Sequence, residues 1–431
     1  MTRSLIARRG FGALLAGLTV LLVSCGGDGG SGSGNSNLRV LNATSDLTSI
    51  DVYLGTSKTF SADAVDTITS TSTVPAGAYD VKVTTAGNTT TLFTGAYSLT
   101  NDLHYTGVVW GRNGSLHFAT LPEDENTDNI GTGNSRIRVY NATTDSGSLD
   151  VYLTQNIDDL ANATVTASAT ASAALSGYKE LSAGTYRLRV TTAGDNTDVR
   201  LDVPAVTLTS KQYSTLIVTA GPSGVLVHSA LVVQQGSLTQ YKNTQSRIRV
   251  VAGAEARGSV SVLLDGVTLA GSLRSPTVGP YVLVNSGSRA IDVRLNSVSI
   301  STATQTLAPA ADYTLLAYGS DGAGLVSLFT DDNRLPATGR YRIRLINGAV
   351  NTDPLTLSID FAALISDIPA GSASSFVTGA VNSSAQIDVT STSGIDSLYT
   401  AADVNLQTLG VYTVFMLGGQ TAPTGVLRKD R

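Results

Sequence analysis

The sequence contains three histidines and one cysteine, and few of its polar side chains stand at spacings that chemistry needs. His104, His117 and His228 each lack a second histidine or cysteine at ligand spacing, so no zinc-type centre is expected. His104 precedes Tyr105 in a repeated strand whose later copies carry Gln212, Asp312 and Val411 at that place, which marks it as a strand residue. Ser176 and Lys179 spell S-x-x-K, but that chemistry needs the pair on one helical face and this region is serine-rich and strand-like. Asp124, Asn126 and Asp128 offer oxygen ligands at alternate positions, the spacing of a calcium loop. Asn129 replaces the turn glycine of such a loop and Ser135 stands where a bidentate glutamate would close it, so a solvated acidic linker is the plainer expectation. The best polar candidates for binding are Asp51 and Asp150, with Tyr53 and Tyr152 beside them, in the matching blocks Ser49–Leu54 and Ser148–Leu153. Their ordinary alternative is a cross-strand pair with Arg39 or Arg138, contributing about 0.2–1 kcal/mol. No catalytic set, metal centre or bound cofactor is expected, and the chain reads as a non-enzyme.

The lone cysteine has a different context. Arg3, Arg8 and Arg9 form a basic segment, and Phe11 to Val23 form an apolar core of about 13 residues, too short to span hydrocarbon as a helix. Leu22-Val23-Ser24-Cys25 closes that core. The stretch resembles the lipobox of bacterial lipoproteins, in which a signal peptide, here residues 1–24, is cut before a cysteine that is then lipidated. The resemblance implies a diacylglyceryl or acyl lipid on Cys25 and the lipid bilayer as a partner, with Gly26 suited to outer-membrane sorting. Ala7-Arg8-Arg9-Gly10-Phe11 also looks like a twin-arginine export signal, with Gly12 where a second large apolar residue is preferred. Residues 26–37 are Gly, Ser, Asn and Asp only, a flexible tether spanning roughly 20 Å.

Removing those three arginines from 28 basic residues leaves about 25 against 33 acidic ones, a net charge near −8. An acidic chain does not suit nucleic acid or an anionic lipid surface, which call for clustered basic residues. Charged residues make up only 14%, below the roughly 25% of ordinary soluble domains, and Ser, Thr, Asn and Gly fill the difference. That composition disfavours helices and suits half-buried strands. No disulfide can form within the mature chain, so apolar cores must supply its stability.

Four sequence blocks repeat in order. Leu38-Arg39-Val40-Leu41-Asn42-Ala43 recurs from Arg136, from Arg247 and from Arg342, with the aligned arginines at Arg39, Arg138, Arg249 and Arg344. Ser49–Leu54 matches Ser148–Leu153, with Ser261 and Ser358 at the place of Asp51 and Asp150 in the later copies. Pro75-Ala76-Gly77-Ala78-Tyr79 matches Ser182-Ala183-Gly184-Thr185-Tyr186. A closing strand carries Tyr105, Tyr213, Tyr313 or Tyr412, each expected to bury its ring and bond a loop through its hydroxyl, as in a tyrosine corner. Alternation with period two, as in Arg136-Ile137-Arg138-Val139, puts apolar side chains on one strand face.

At these blocks the chain resembles an uncharacterised bacterial family of exported domains of unknown function that open with V-R-V-x-x-A, continue into D-V-Y and carry P-A-G-x-Y. The first two repeats match through Arg39, Asn42-Ala43, Asp51-Val52-Tyr53 and Pro75 to Tyr79. The third and fourth match mainly in their opening and closing strands. The resemblance implies an exported sandwich, often a lipoprotein, and no activity.

These readings predict an all-β chain: four tandem immunoglobulin-like or transthyretin-like antiparallel β-sandwiches at 38–130, 136–240, 246–333 and 340–431, set in a rod behind the tether at 25–37. Only Asn156 to Ala163 and Phe361 to Ile368 have the makeup of a short helical turn. The expected role is a lipid-anchored cell-envelope protein with a non-catalytic adhesion or scaffold function and an envelope protein or glycan as partner. A carbohydrate-binding surface module is the alternative and a surface hydrolase a third.

Overall fold

The structure, a computed structural model, describes residues 34–155, 159–391, 397–419 and 423–431. Cys25 and the export segment lie outside these residues. The first unit is built from β1 (Asn35–Thr44), β2 (Ser49–Leu54), β3 (Ser57–Ala64), β4 (Ser72–Pro75), β5 (Gly77–Thr85), β6 (Phe93–Leu99), β7 (His104–Arg112) and β8 (Ser115–Pro122). One sheet has the order β4-β1-β7-β8 and the other β3-β2-β5-β6. Period-two alternation turns Leu38, Val40, Ile50, Val52, Val81, Val83 and Val109 into the space between them, where they meet Phe60 and Phe118. The same order recurs behind three further opening strands, Asn134–Ala142, Gln245–Ala254 and Arg340–Val350, and each pair of sheets encloses its own core.

The sheets are not wholly antiparallel. In every unit the opening strand pairs in parallel with the closing, tyrosine-bearing strand, as β1 does with β7 from Asn37 opposite His104 to Thr44 opposite Gly111. Parallel neighbours need a long crossover, and the whole second sheet supplies it. Alternation reports which face is buried and carries no strand direction. Ala362–Ile368 is likewise a strand rather than a helical turn: it pairs with Leu355–Ile359 across a two-residue turn at Asp360-Phe361 and puts Ile365 into the core.

The units are also not strung singly along a rod. Leu41, Ala43, Val108 and Trp110, on the outer face of β1 and β7, pack against Tyr140, Ala142, Ile217 and Val232 of the second unit. Val251, Leu316 and Tyr318 of the third unit meet Ile346, Phe415 and Leu417 of the fourth in the same way. Opening and closing strands are therefore buried on both faces, and the units clasp two by two. Gly348 lets the second seam close, since a Cβ there would lie 2.9 Å from Leu316 Cδ1.

The four repeated arginines sit at the polar end of these seams. Each Nε donates to a threonine on the parallel neighbour: Arg39 to Thr106, Arg138 to Thr215, Arg249 to Thr314 and Arg344 to Thr413, at 2.8–3.1 Å. In the second pair the acids cross over. Arg249 of the third unit holds Asp430 of the fourth at 2.5 Å, and Arg344 of the fourth holds Asp331 of the third at 2.6 Å. In the first pair Arg39 holds Glu123 at 2.7 Å and also donates to the Val233 and Gly236 carbonyls of the second unit. All four guanidinium groups are buried, so each needs these partners.

The two pairs meet end to end. Strand ends of the first pair, at Arg112, Asp145 and the loop 221–226, face strand beginnings of the second. Leu335 N donates to Asp145 Oδ1 (2.9 Å), Arg112 donates to the Leu335 carbonyl (3.2 Å), and Asp312 N donates to Ser223 Oγ (2.9 Å). Arg431 reaches the Gly224 and Asp145 carbonyls at 2.9 and 2.7 Å. The described chain starts at Gly34, beside Ala76, at the opposite end of the first pair.

Candidate binding cleft

The aspartates singled out in the sequence face inward. Asp51 is 1% exposed; its oxygens accept from Lys58 Nζ (2.6 Å), Ala62 N (2.8 Å) and Gly87 N (3.0 Å). Burial opposes its ionisation, yet the lysine and the two amides outweigh that and hold the carboxyl below its ordinary range. Asp150 accepts from Ala169 N and Gly194 N at 2.6 and 2.9 Å. Each stands where the register to the third strand slips, and Ala62 and Ala169 there have φ of 52° and 45°. The carboxylates thus brace a bulge and a hairpin. They form no pair with Arg39 or Arg138, which are committed to the seams.

The companion tyrosines divide. Tyr152 is buried at 5% exposure, and Tyr53 is half-buried beneath Lys82 Nζ, 4.1 Å from its ring centre. The acidic run does not converge on a cation. Asp124 accepts from His104 N (2.7 Å) and pairs with His104 Nδ1 (2.8 Å), while Asn126 caps Asp128 N at 2.9 Å. Among the described residues no group of three His, Cys, Asp or Glu side chains could hold a metal. His117 stacks on Trp110 with ring centres 4.3 Å apart, and burial lowers its pKa. Burial also pushes His228 down to about 4, and its Nδ1 accepts from Asn243 N.

A feature outside those expectations lies at the free end of the second pair. A cleft of about 740 Å³ opens at the seam between the third and fourth units, lined by Glu255, Arg257, Arg274, Pro276, Leu417 and Gly419 among others. Ala256 and Arg257 both have positive φ, 51° and 59°. Glu255 is half-buried; its carboxylate accepts from Asn351 Nδ2 at 3.4 Å and packs against Gly419, where a Cβ would come 1.9 Å from Oε1. Arg257 and Arg274 are exposed. Among the described residues their guanidinium groups make no hydrogen bond or ion pair, whereas the other arginines, Arg340 aside, are all engaged. Sequence reading missed this site because its residues come from non-matching parts of the repeats. The one available signal was Ala256-Arg257 interrupting the repeated block.

The strand order and clasped cores define an all-β protein of repeated two-sheet units with a polar cleft at one end. The chain belongs to the DUF4397 family, a domain of unknown function, which it matches over residues 36–152 and 246–358, together just over half its length. Each matched segment covers one unit and the first two strands of the next. The curated proteins contain no match. Among solved structures, a candidate cell adhesion protein from Bacteroides ovatus is 11% identical over 47% of this chain and 98% of its own, with a TM-score of 0.19. A second, from Bacteroides uniformis, is 9% identical over 48% and 99%, at 0.20. A carbohydrate-binding module from Eubacterium rectale, solved with maltoheptaose, is 10% identical over 45% and 96%, at 0.16. Likeness at these scores carries no inference about function.

Proposed function

We propose that this protein is a lipid-anchored envelope protein of four tandem immunoglobulin-like sandwiches that acts by binding and holds its binding end away from the membrane. One observation carries the reading: the first described residues, at Gly34, lie at one extreme of the stacked pairs and the open cleft lies at the other. A ten-residue strand spans about 30 Å, so two stacked pairs separate tether and cleft by roughly 60 Å. Asp51, Asp150, Asp124 and the three histidines are engaged in bulges, turns and stacking, which favours binding over hydrolysis. Stacking on flat sugars needs exposed aromatic faces, and Phe361 is the only exposed aromatic among the described residues; a protein partner therefore suits the surface better than a glycan.

Fractionation of cells expressing the full chain tests the anchor. Wild type is expected in washed membranes and Cys25→Ala in the soluble fraction. Retention of the variant in membranes would refute lipid anchoring through Cys25.

A further inference from the structure

We infer that the end of the fourth unit at which its opening strand begins binds the same end of a second copy of this chain, an interface separate from the cleft. Three apolar side chains are exposed there: Phe361 at 81%, Val381 at 48% and Leu409 at 37%. Hydrogen bonds join the segments that carry them. Asn382 Nδ2 donates to the Asp360 carboxylate at 2.7 Å, the Val381 amide to the Gly339 carbonyl at 3.2 Å and the Leu409 amide to the Arg340 carbonyl at 2.8 Å.

The other units make the same main-chain bonds with different side chains. The amide that matches Val381 belongs to Ala76, Ala183 and Ser286 in turn. The one that matches Leu409 belongs to Asp102, Lys211 and Ala310, and all four of these residues have φ between 56° and 63°. In the two-residue turn, Thr56 of the first unit and Gly266 of the third stand in the place of Phe361. The fourth unit thus carries large apolar residues at three places where the described counterparts are small or polar. Phe361 also has a φ of 67°, which costs a bulky side chain about 1–2 kcal/mol and suits the glycine of the third unit. Folding gains little from a ring left in solvent, so its advantage lies in contact with another molecule. The matching loop of the third unit already serves as an interface. Ala310 is fully buried against the second unit, where a Cβ on Gly221 would come 2.7 Å from the Ala310 Cβ.

Charge selects a second copy as the occupant. Arg340 is exposed beside Val381 and Leu409, and its guanidinium has no partner among the described residues. Asp360 has only neutral donors, Asn382 Nδ2 and the Gln386 amide at 2.9 Å, so its charge is uncompensated. An apolar centre flanked by one free cation and one free anion is complementary to itself. About a two-fold axis each Arg340 meets an Asp360 across the interface, and the apolar side chains meet between them.

Sedimentation of full-chain Cys25→Ala protein over a concentration series tests the inference. A monomer–dimer equilibrium is expected, with a dissociation constant in the micromolar range. Phe361→Gly should raise that constant by about tenfold or more without lowering the melting temperature, because the ring is exposed and glycine suits the turn. Arg340→Glu should also weaken association, by setting acid against acid across the axis. A chain still monomeric at about 100 µM, or a dimer that either variant leaves unchanged, would overturn the inference. Membrane fractionation reads the anchor separately, so failure of one leaves the other standing.

Discussion

The Asp63 carboxyl is buried with one oxygen accepting from Thr67 Oγ1 at 2.9 Å and the other without a hydrogen-bond partner. Burial pushes its pKa up to about 6, above the ordinary 3.8. The folded state therefore holds this proton more tightly than the unfolded chain. Stability from the group is full below about pH 4, falls as pH rises towards 6 and stays lower above it, by about 1–2 kcal/mol after allowing for solvent screening. Asp63→Asn should accordingly raise the melting temperature at pH 8 and leave it nearly unchanged at pH 4; an equal change at both would contradict the assignment. Asp51 has the opposite sign: its lowered pKa adds stability above the ordinary carboxylate range, which is lost as pH falls. Asp51→Ala orphans two backbone amides and a lysine, and should cost about 2–3 kcal/mol in denaturant titration at pH 7.

Strand register decides what each repeated residue does. Tyr105, Tyr313 and Tyr412 lie opposite Leu38, Ile248 and Ile343 and point into their cores. Their hydroxyls accept from the amides five residues earlier, Thr100, Ala308 and Gln407. Tyr213 lies opposite Arg136, one position out, so it faces the other way, packs on Tyr178 and accepts from Arg136. Tyr313→Phe and Tyr412→Phe should each cost about 1–2 kcal/mol by leaving an amide unpaired, and Tyr213→Phe under about 0.5; equal losses would argue against the corner. The cores were legible in the alternation of Ile137-Arg138-Val139, and the strand order was not, because pairing partners are set by packing. The seams did leave a trace. Val40-Leu41, Val250-Val251 and Val414-Phe415-Met416-Leu417 are continuous apolar runs, as expected of strands covered on both faces. The clasp could not be read, since Asp331 and Asp430 fall in stretches that look like linker and chain end. Removing Asp331 alone leaves Arg344 buried without its acid, and Asp331→Ala should cost about 3–5 kcal/mol in equilibrium unfolding.

At the scale of the whole molecule, the repeat that matters is the pair. The two family-matched segments begin roughly 210 residues apart, the distance from Arg39 to Arg249, and each crosses a seam. Arg431 then fastens one pair to the other. Burial and the nearby Arg200 and Arg247 lower its pKa to about 10, so its hydrogen bonds to Gly224 and Asp145 carry a cation into a crowded joint. Arg431→Gln should weaken coupling between the pairs and split a single calorimetric transition into two, with both cores intact. The central claim is that tether and cleft lie at opposite ends. Cys25 is the only cysteine, so a lipidated chain offers one free thiol wherever a second cysteine is introduced. Energy transfer from a dye on Asn101→Cys or Asp321→Cys to acceptor lipids in reconstituted vesicles measures the two ends directly. Strong transfer from the first site and weak transfer from the second is the predicted result, and equal transfer from both would contradict it.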